Sequence, residues 1–390
     1  MDGLWNKIPP KVRNRENKLI IALICVVIAL SSVSARIARG EPSFAKLWEI
    51  RRTIPLVAKD GVIVAGWPNM ENQTLFACFD SKTGNQLWKE GKREPINWDA
   101  IRADNFQLEG DRLFVLQREG DKYSFNCFNK NDGKQIWSLG MLDDINPEKM
   151  PFVDGNNFYL IQHGIIQCFD SENGQLIWKA GTGSGPLKRL AGTYKDLQFW
   201  TGSHIMCLDL KTKSQLWATP QNDCPLAPKN LDGMTGNTPC FVGDYTFFLG
   251  HDCDVAGGLS IFCRNIFTGK TKAKLDRPFG MAATKEFFIS IVSTGQGNFS
   301  MYAFDPESGT KVWETRLERT AREFMFSLGD KFVRTKFGEN QTTLAILCDA
   351  KTGRELSTTN LGEGVTNIIQ DGELLFVESK NKTTCYKISG

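Results

Sequence analysis

Cys78-Phe79-Asp80-Ser81-Lys82-Thr83-Gly84-Asn85-Gln86-Leu87-Trp88 is one of several stretches of the form Cys-Phe-Asp-x-x-x-Gly-x-x-x-Trp in this 390-residue chain. Similar copies run from Cys127 to Trp137, from Cys168 to Trp178 and from Cys207 to Trp217, and Ala303 to Trp313 is a further copy with Ala in first place. Degenerate copies run from Cys263 to Ala273 and from Leu347 to Ser357. Self-similarity at a spacing of about 40 residues marks a repeat architecture. Each copy reads as two strands around a tight turn. Leu75 to Phe79 is apolar and strand-like, Asp80 to Gly84 is turn chemistry, and Gln86-Leu87-Trp88 begins the next strand. Gly84 can take a positive φ without a Cβ clash, and Asp80 can accept hydrogen bonds from the turn backbone. Gly133, Gly174, Gly269, Gly309 and Gly353 recur at the same place, whereas Lys213 breaks the pattern.

The chain ends decide between an open solenoid and a ring. Thr383 to Lys387 looks like the first strand of one more copy, but the chain stops at Gly390 before a Trp strand follows. Ala45-Lys46-Leu47-Trp48 looks like a Trp strand with nothing before it. An open array has no reason to split a repeat between its termini, whereas a ring that pairs its first and last strands does. Apolar runs between motifs, such as Gly61 to Ala65, Arg112 to Leu116 and Glu373 to Val377, supply inner strands. The expected fold is therefore all-β: an eight-bladed β-propeller of four-stranded antiparallel blades, closed by the N- and C-terminal strands in one blade. Trp48, Trp88, Trp137, Trp178, Trp217 and Trp313, with the recurrent glycines, read as scaffold.

This pattern resembles the tryptophan-docking repeat of the pyrroloquinoline-quinone (PQQ) type propellers, usually written Ala-x-Asp-x-x-x-Gly-x-x-x-Trp, and it covers nearly all of the chain after residue 44. Within that family the chain is similar to the BamB-type scaffolds of outer-membrane barrel assembly. That resemblance implies a non-catalytic propeller that holds a membrane-bound protein partner through loop contacts. The family also includes quinoprotein dehydrogenases, so the fold alone does not give the function. Unlike the lipidated scaffolds, this chain has no Cys directly after its apolar run. Cys25 lies inside the run, behind Leu23-Ile24, and the next cysteine is Cys78, so a lipid anchor is not expected.

Leu19 to Leu30 is an unbroken apolar run preceded by Lys7, Lys11, Arg13, Arg15 and Lys18. It suits either a cleaved signal peptide, with Val33-Ser34-Ala35 as a cleavage site, or a retained membrane anchor over residues 19–35. Both readings export the remainder. Residues 1–40 are thus read as targeting segment and residues 41–390 as propeller, in the periplasm or outside the cell. The first forty residues hold seven Lys/Arg and two Asp/Glu, and removing them from totals of 47 and 44 leaves 40 basic and 42 acidic residues. The propeller is close to neutral, which argues against a nucleic-acid surface.

Cys78, Cys127, Cys168, Cys207 and Cys263 stand where the family pattern has Ala, and they read as small buried hydrophobes. Cys224, Cys240 and Cys253 fall in the longest gap between motifs, where a disulfide among them stays open beside unpaired roles. Quinoprotein dehydrogenases resemble this chain in their Trp motifs, but they use adjacent cysteines over the quinone and a Ca²⁺ site. This chain has no Cys-Cys pair and no Cys-x-x-Cys-His haem motif. Its three histidines, at 163, 204 and 251, form no recognisable catalytic constellation, and no nucleophile elbow, P-loop or zincin motif occurs. No catalytic residue, cofactor or metal ligand is expected, and the chain is read as a monomeric protein-binding scaffold of the cell envelope. A small-ligand or quinone-binding propeller, or a dehydrogenase-like enzyme, is the alternative. Three stretches exceed what the repeat needs: Gly91 to Phe106, Leu139 to Pro151 and Thr219 to Pro239. With the shorter Trp67-Pro68-Asn69-Met70, they supply the candidate partner-binding residues Trp67, Trp98, Met141, Leu142, Asp143, Asp144, Leu226 and Met234.

Overall fold

The computed structural model describes residues 42–389 apart from 68–73, 93–104, 120–121, 143–150, 163–164, 182–186, 203–204, 220–239, 252–258, 277, 296–297, 318–323, 338–341 and 381. The described residues form eight four-stranded antiparallel sheets. Blades 1 to 7 are residues 54–92, 106–142, 152–181, 187–218, 240–276, 278–317 and 325–363, each a simple up-and-down meander. Blade 8 takes three strands from residues 365–389 and its outermost strand, Ser43–Arg51, from the other end of the chain. The closing strand pairs from Ser43↔Ser389 to Arg51↔Lys382, as the split repeat predicts.

The first strand of each blade lies innermost and the motif strands are third and fourth. The apolar runs Val62–Gly66 and Leu374–Ser379 are second from the axis. The innermost strands are the less apolar ones preceding them, such as Ile54–Lys59 and Val365–Asp371. A second strand is packed by a blade on each side and must be apolar on both faces, which explains Val62–Gly66, buried at every position. Each core cluster spans one seam between blades. Phe114, Leu116, Phe125 and Cys127 of blade 2, for example, pack on Val153, Phe158, Leu160 and Phe169 of blade 3.

The two faces of the disk are unlike. The turn after the first strand of a blade hydrogen-bonds the turn after its third, as in Ser81 N to Gly61 O at 3.0 Å, Lys130 N to Asp111 O at 2.8 Å and Ala350 N to Asp330 O at 3.1 Å. All these turns are short and lie on one face. Strand alternation places every second-to-third and blade-to-blade connection on the other face. The closing strand Ser43–Arg51 is outermost in its blade, so the chain preceding Ser43 joins the short-turn face.

Candidate functional site

The motif residues build the seams. Asp80 Oδ1 accepts from the backbone N–H groups of Lys82 and Thr83 at 3.1 and 2.7 Å, which sets the turn and holds its carboxyl below the usual range, Thr83 being the main cause. Asn129, Asp170, Asp209, Asn265 and Asp349 accept in the same way. The turn then receives the tryptophan of the preceding blade. Trp48, Trp88, Trp137, Trp217 and Trp313 donate Nε1–H to the carbonyls of Ser81, Lys130, Ser171, Ile266 and Ala350 at 2.6–3.1 Å. The rings lie flat on Gly84, Gly133, Gly174, Gly269 and Gly353, where an added Cβ would come within 2.6–3.2 Å of the indole. These glycines are needed twice over, for positive φ and for the ring on their surface.

The blade 4 turn lacks this glycine floor. Lys213 stands at the glycine position of the blade 4 turn, at φ 55. In the next-but-one seam the glycine is kept but the tryptophan is not. Ala273 replaces it, and the Lys272 chain covers Gly309, its Cε lying 3.1 Å from where a Cβ would sit.

The motif cysteines share this machinery. Cys207 Sγ approaches the Ile266 carbonyl at 3.8 Å and Cys385 Sγ the Ser81 carbonyl at 3.6 Å, the same oxygens that accept from Trp217 and Trp48. Cys78, Cys127, Cys168, Cys207 and Cys263 are buried, as expected from their place in the repeat. Burial pushes Cys78, Cys127, Cys207 and Cys263 up to about 12 and Cys168 to about 11. None has the thiolate character of a nucleophile or a redox-active thiol. Cys240 begins the strand Cys240–Val242, while Cys224 and Cys253 lie outside the described residues.

Polar chemistry gathers instead on the innermost strands, at their short-turn ends. Lys59 of blade 1 forms an ion pair with Glu109 of blade 2. Gln107 spans from blade 2 to blade 3, donating to Pro151 O at 2.7 Å and accepting from Val153 N at 2.8 Å. Asp154 of blade 3 takes a hydrogen bond from Thr193 of blade 4. Asp371 of blade 8 accepts from Gly61 N at 3.2 Å. These groups clamp neighbouring blades around the axis. No group of three or more His, Cys, Asp or Glu among the described residues is placed to hold a metal ion.

Asp154 is the perturbed member of this cluster. Burial raises its pKa and Glu109 adds to the rise, while the Thr193 hydroxyl and Lys59 pull it back. A carboxyl raised in the folded state favours folding while protonated, and that contribution is lost as pH rises from about 3.9 through the higher folded value. Asp154→Asn is therefore expected to gain stability relative to the parent as pH rises through this window. Urea midpoints of the two proteins measured across the window check this, and curves that stay parallel would mean that the carboxyl is not desolvated.

Among the residues the sequence singles out for partner binding, Trp67 is described. It is half-buried, 6.2 Å ring to ring from Phe79, with the Lys89 ammonium 4.9 Å from its ring centre. Met141 and Leu142 end the strand Gln135–Leu142, whereas Trp98, Asp143, Asp144, Leu226 and Met234 lie outside the described residues. The described strand ends that flank all of these segments belong to one face, opposite the short turns. Residues 1–40, read from the sequence as a targeting segment, also lie outside the described residues, and among those described no helix is long and apolar enough to cross a membrane.

Comparison with known proteins agrees with the repeat. Residues 71–197 match the family model described as outer membrane protein assembly factor BamB. The structure of BamB from Moraxella catarrhalis superposes with a TM-score of 0.58 at 14% identity, covering 88% of this chain and 100% of that one. The computationally designed Ika8 protein gives 0.58 at 13% identity over 88% and 99% of the two chains. The quinohemoprotein alcohol dehydrogenase ADHIIG of Pseudomonas putida HK5 gives 0.51 at 11% identity over 88% and 76%. At these identities the likeness is one of fold. No curated protein sequence matches the chain.

Proposed function

We propose that this chain is an exported, non-catalytic propeller that holds a protein partner in the cell envelope. The observation that carries the reading is the asymmetry of the disk. The connections longer than the repeat requires join strand ends on one face, and the chain from the targeting segment enters on the other. A tether on one face leaves the loop face free to meet a partner, and loops on a rigid scaffold are where binding residues concentrate. The match of residues 71–197 to the BamB family model supports the same reading. Residues 19–35 supply the export signal or the membrane attachment.

A small-ligand or quinone-binding propeller is the second reading. It draws on the fold likeness to a quinohemoprotein dehydrogenase and on the Lys59, Glu109 and Asp154 cluster around the axis. Mild cross-linking in native membranes, followed by affinity capture of the full-length protein and mass spectrometry, separates the two. The expected result is an envelope protein cross-linked to residues of the loop face. Capture of no partner, together with saturable PQQ binding by the purified protein, would replace the scaffold reading with the ligand reading.

A further inference from the structure

The eight blades are not equally well secured, and blade 4 stands apart by three observations. The first is turn strain. At the first-to-second and third-to-fourth turns, blade 2 has Gly110 and Gly133, blade 3 has Gly155 and Gly174, and blade 5 has Gly243 and Gly269, all at φ between 54 and 74. Blade 4 meets the same two conformations with Lys195 and Lys213, both at φ 55, a region that crowds an L-residue's Cβ. The second is docking. Lys213 also removes from the blade 4 turn the bare glycine surface on which Trp48, Trp88, Trp137, Trp217 and Trp313 lie at other seams.

The third is a polar residue at a place of complete burial. Ile63, Leu113, Phe158, Phe288, Phe332 and Leu375 occupy equivalent second-strand positions facing the preceding blade, each 0% exposed. In blade 4 this position is Gln198, also 0% exposed, and neither its amide nitrogen nor its amide oxygen completes a hydrogen bond of good geometry, although the Tyr159 hydroxyl lies beside it. Trp200, two residues on and facing the same seam, is 1% exposed with its Nε1 in the same condition. In blade 5 the equivalent residue is Thr246, whose hydroxyl is also without a partner. Blade 4 is thus bounded on both sides by seams that bury a polar group at their most enclosed point. Leaving such groups unmatched costs more than their hydrogen bonds would return.

The usual weak point of a ring is where its chain ends meet, but here that seam is reinforced. Glu49 of the closing strand is bonded by Lys382 at 2.9 Å, Thr53 and Thr383 bond each other at 3.1 Å, and Trp48 docks on Ser81. We propose that this propeller yields at the seam between blades 3 and 4, with blade 4 swinging on its better-docked seam to blade 5, rather than at the closure of its termini. Trp217 on Gly269 holds blade 4 to blade 5, which gives the motion its hinge side. Opening the other side exposes Tyr159, Gln198 and Trp200 beside the Asp154–Thr193 contact, so the seam leads from the rim to the axis. This goes beyond the scaffold reading and does not depend on it.

Hydrogen exchange of the purified full-length protein at neutral pH, read by mass spectrometry, tests the proposal. Peptides from Leu197–Gly202 are expected to exchange about tenfold faster than those from Arg112–Glu119 in blade 2 and Lys382–Ser389 in blade 8. Gln198→Leu and, separately, Lys213→Gly are expected to slow exchange in blade 4 while leaving blade 2 unchanged. Lys213→Gly relieves backbone strain without touching the core, so it remains decisive if the core variant misfolds. Equal protection of blades 2 and 4, or earliest exchange in Ser43–Arg51 and Lys382–Ser389, would overturn the proposal. So would repair variants that slow every blade alike.

Discussion

Gly269→Ala is expected to destabilise the propeller by about 2–4 kcal/mol, the largest effect of adding one carbon atom anywhere in the repeat turns. Two costs combine. Alanine at φ +67 is strained by about 1 kcal/mol relative to glycine. Its Cβ would also lie 2.6 Å from Trp217 Cδ2 and 2.8 Å from Cγ. The indole cannot retreat cheaply, because its Nε1 bonds Ile266 O at 2.8 Å and Phe199 packs 6.0 Å away ring to ring. Gly110→Ala is the control: φ is +54, but no atom lies within 4 Å of the new Cβ, so only the backbone cost of about 1 kcal/mol applies. The difference between their urea midpoints measures tryptophan docking itself. Equal shifts would mean that the glycines serve backbone conformation alone.

Removing the closing strand should have a still greater effect. A chain beginning at Thr53 loses the Ser43–Arg51 pairing, the docking of Trp48 and the Lys46–Glu49–Lys382 bridge. Trp48 is half-buried, so its loss takes only part of the about 3–5 kcal/mol that a fully buried tryptophan contributes, and the stripped edge of Lys382–Ser389 becomes a template for intermolecular pairing. The expected result is a protein that associates and unfolds without a sharp transition. A chain beginning at residue 41 should unfold like the parent, because what it lacks precedes the ring. Addition of a peptide spanning residues 41–52 should restore a monomer to the shorter chain. A monomeric, cooperatively unfolding product without that peptide would show that ring closure contributes little.

The blades and their closure were legible because they rest on local signals. A turn needs Asp or Asn and Gly within five residues, and a repeat divided between the termini is visible as a pair of fragments. The double demand on the glycines was only half legible. Positive φ can be inferred from Gly84 and its neighbours in sequence, but the tryptophan pressing on it comes from the previous blade. Lys213 shows as a broken pattern in the sequence, but its meaning depends on Trp178 and Gln198, which reach the same seam from different strands. The Lys59, Glu109, Asp154 and Thr193 cluster was not legible. Those residues stand on innermost strands that carry no motif and meet only because the ring brings successive first strands together. Trp67 reads as a loop residue because it follows the strand Val62–Gly66, yet its ring reaches back over Phe79.

The buried thiols give this architecture a one-way catch. Folded, Cys78, Cys127, Cys168, Cys207, Cys263, Cys348 and Cys385 are unpaired thiols enclosed away from solvent. In an oxidising compartment, any blade that opens presents an ordinary thiol of pKa about 8.5. Two open blades, or two open molecules, can then be trapped by a disulfide between thiols that are free in the closed ring. In such a compartment, survival would be governed by how seldom a blade opens rather than by the equilibrium between folded and unfolded chains. The tryptophan latches would then act on the lifetime of the protein as much as on its shape.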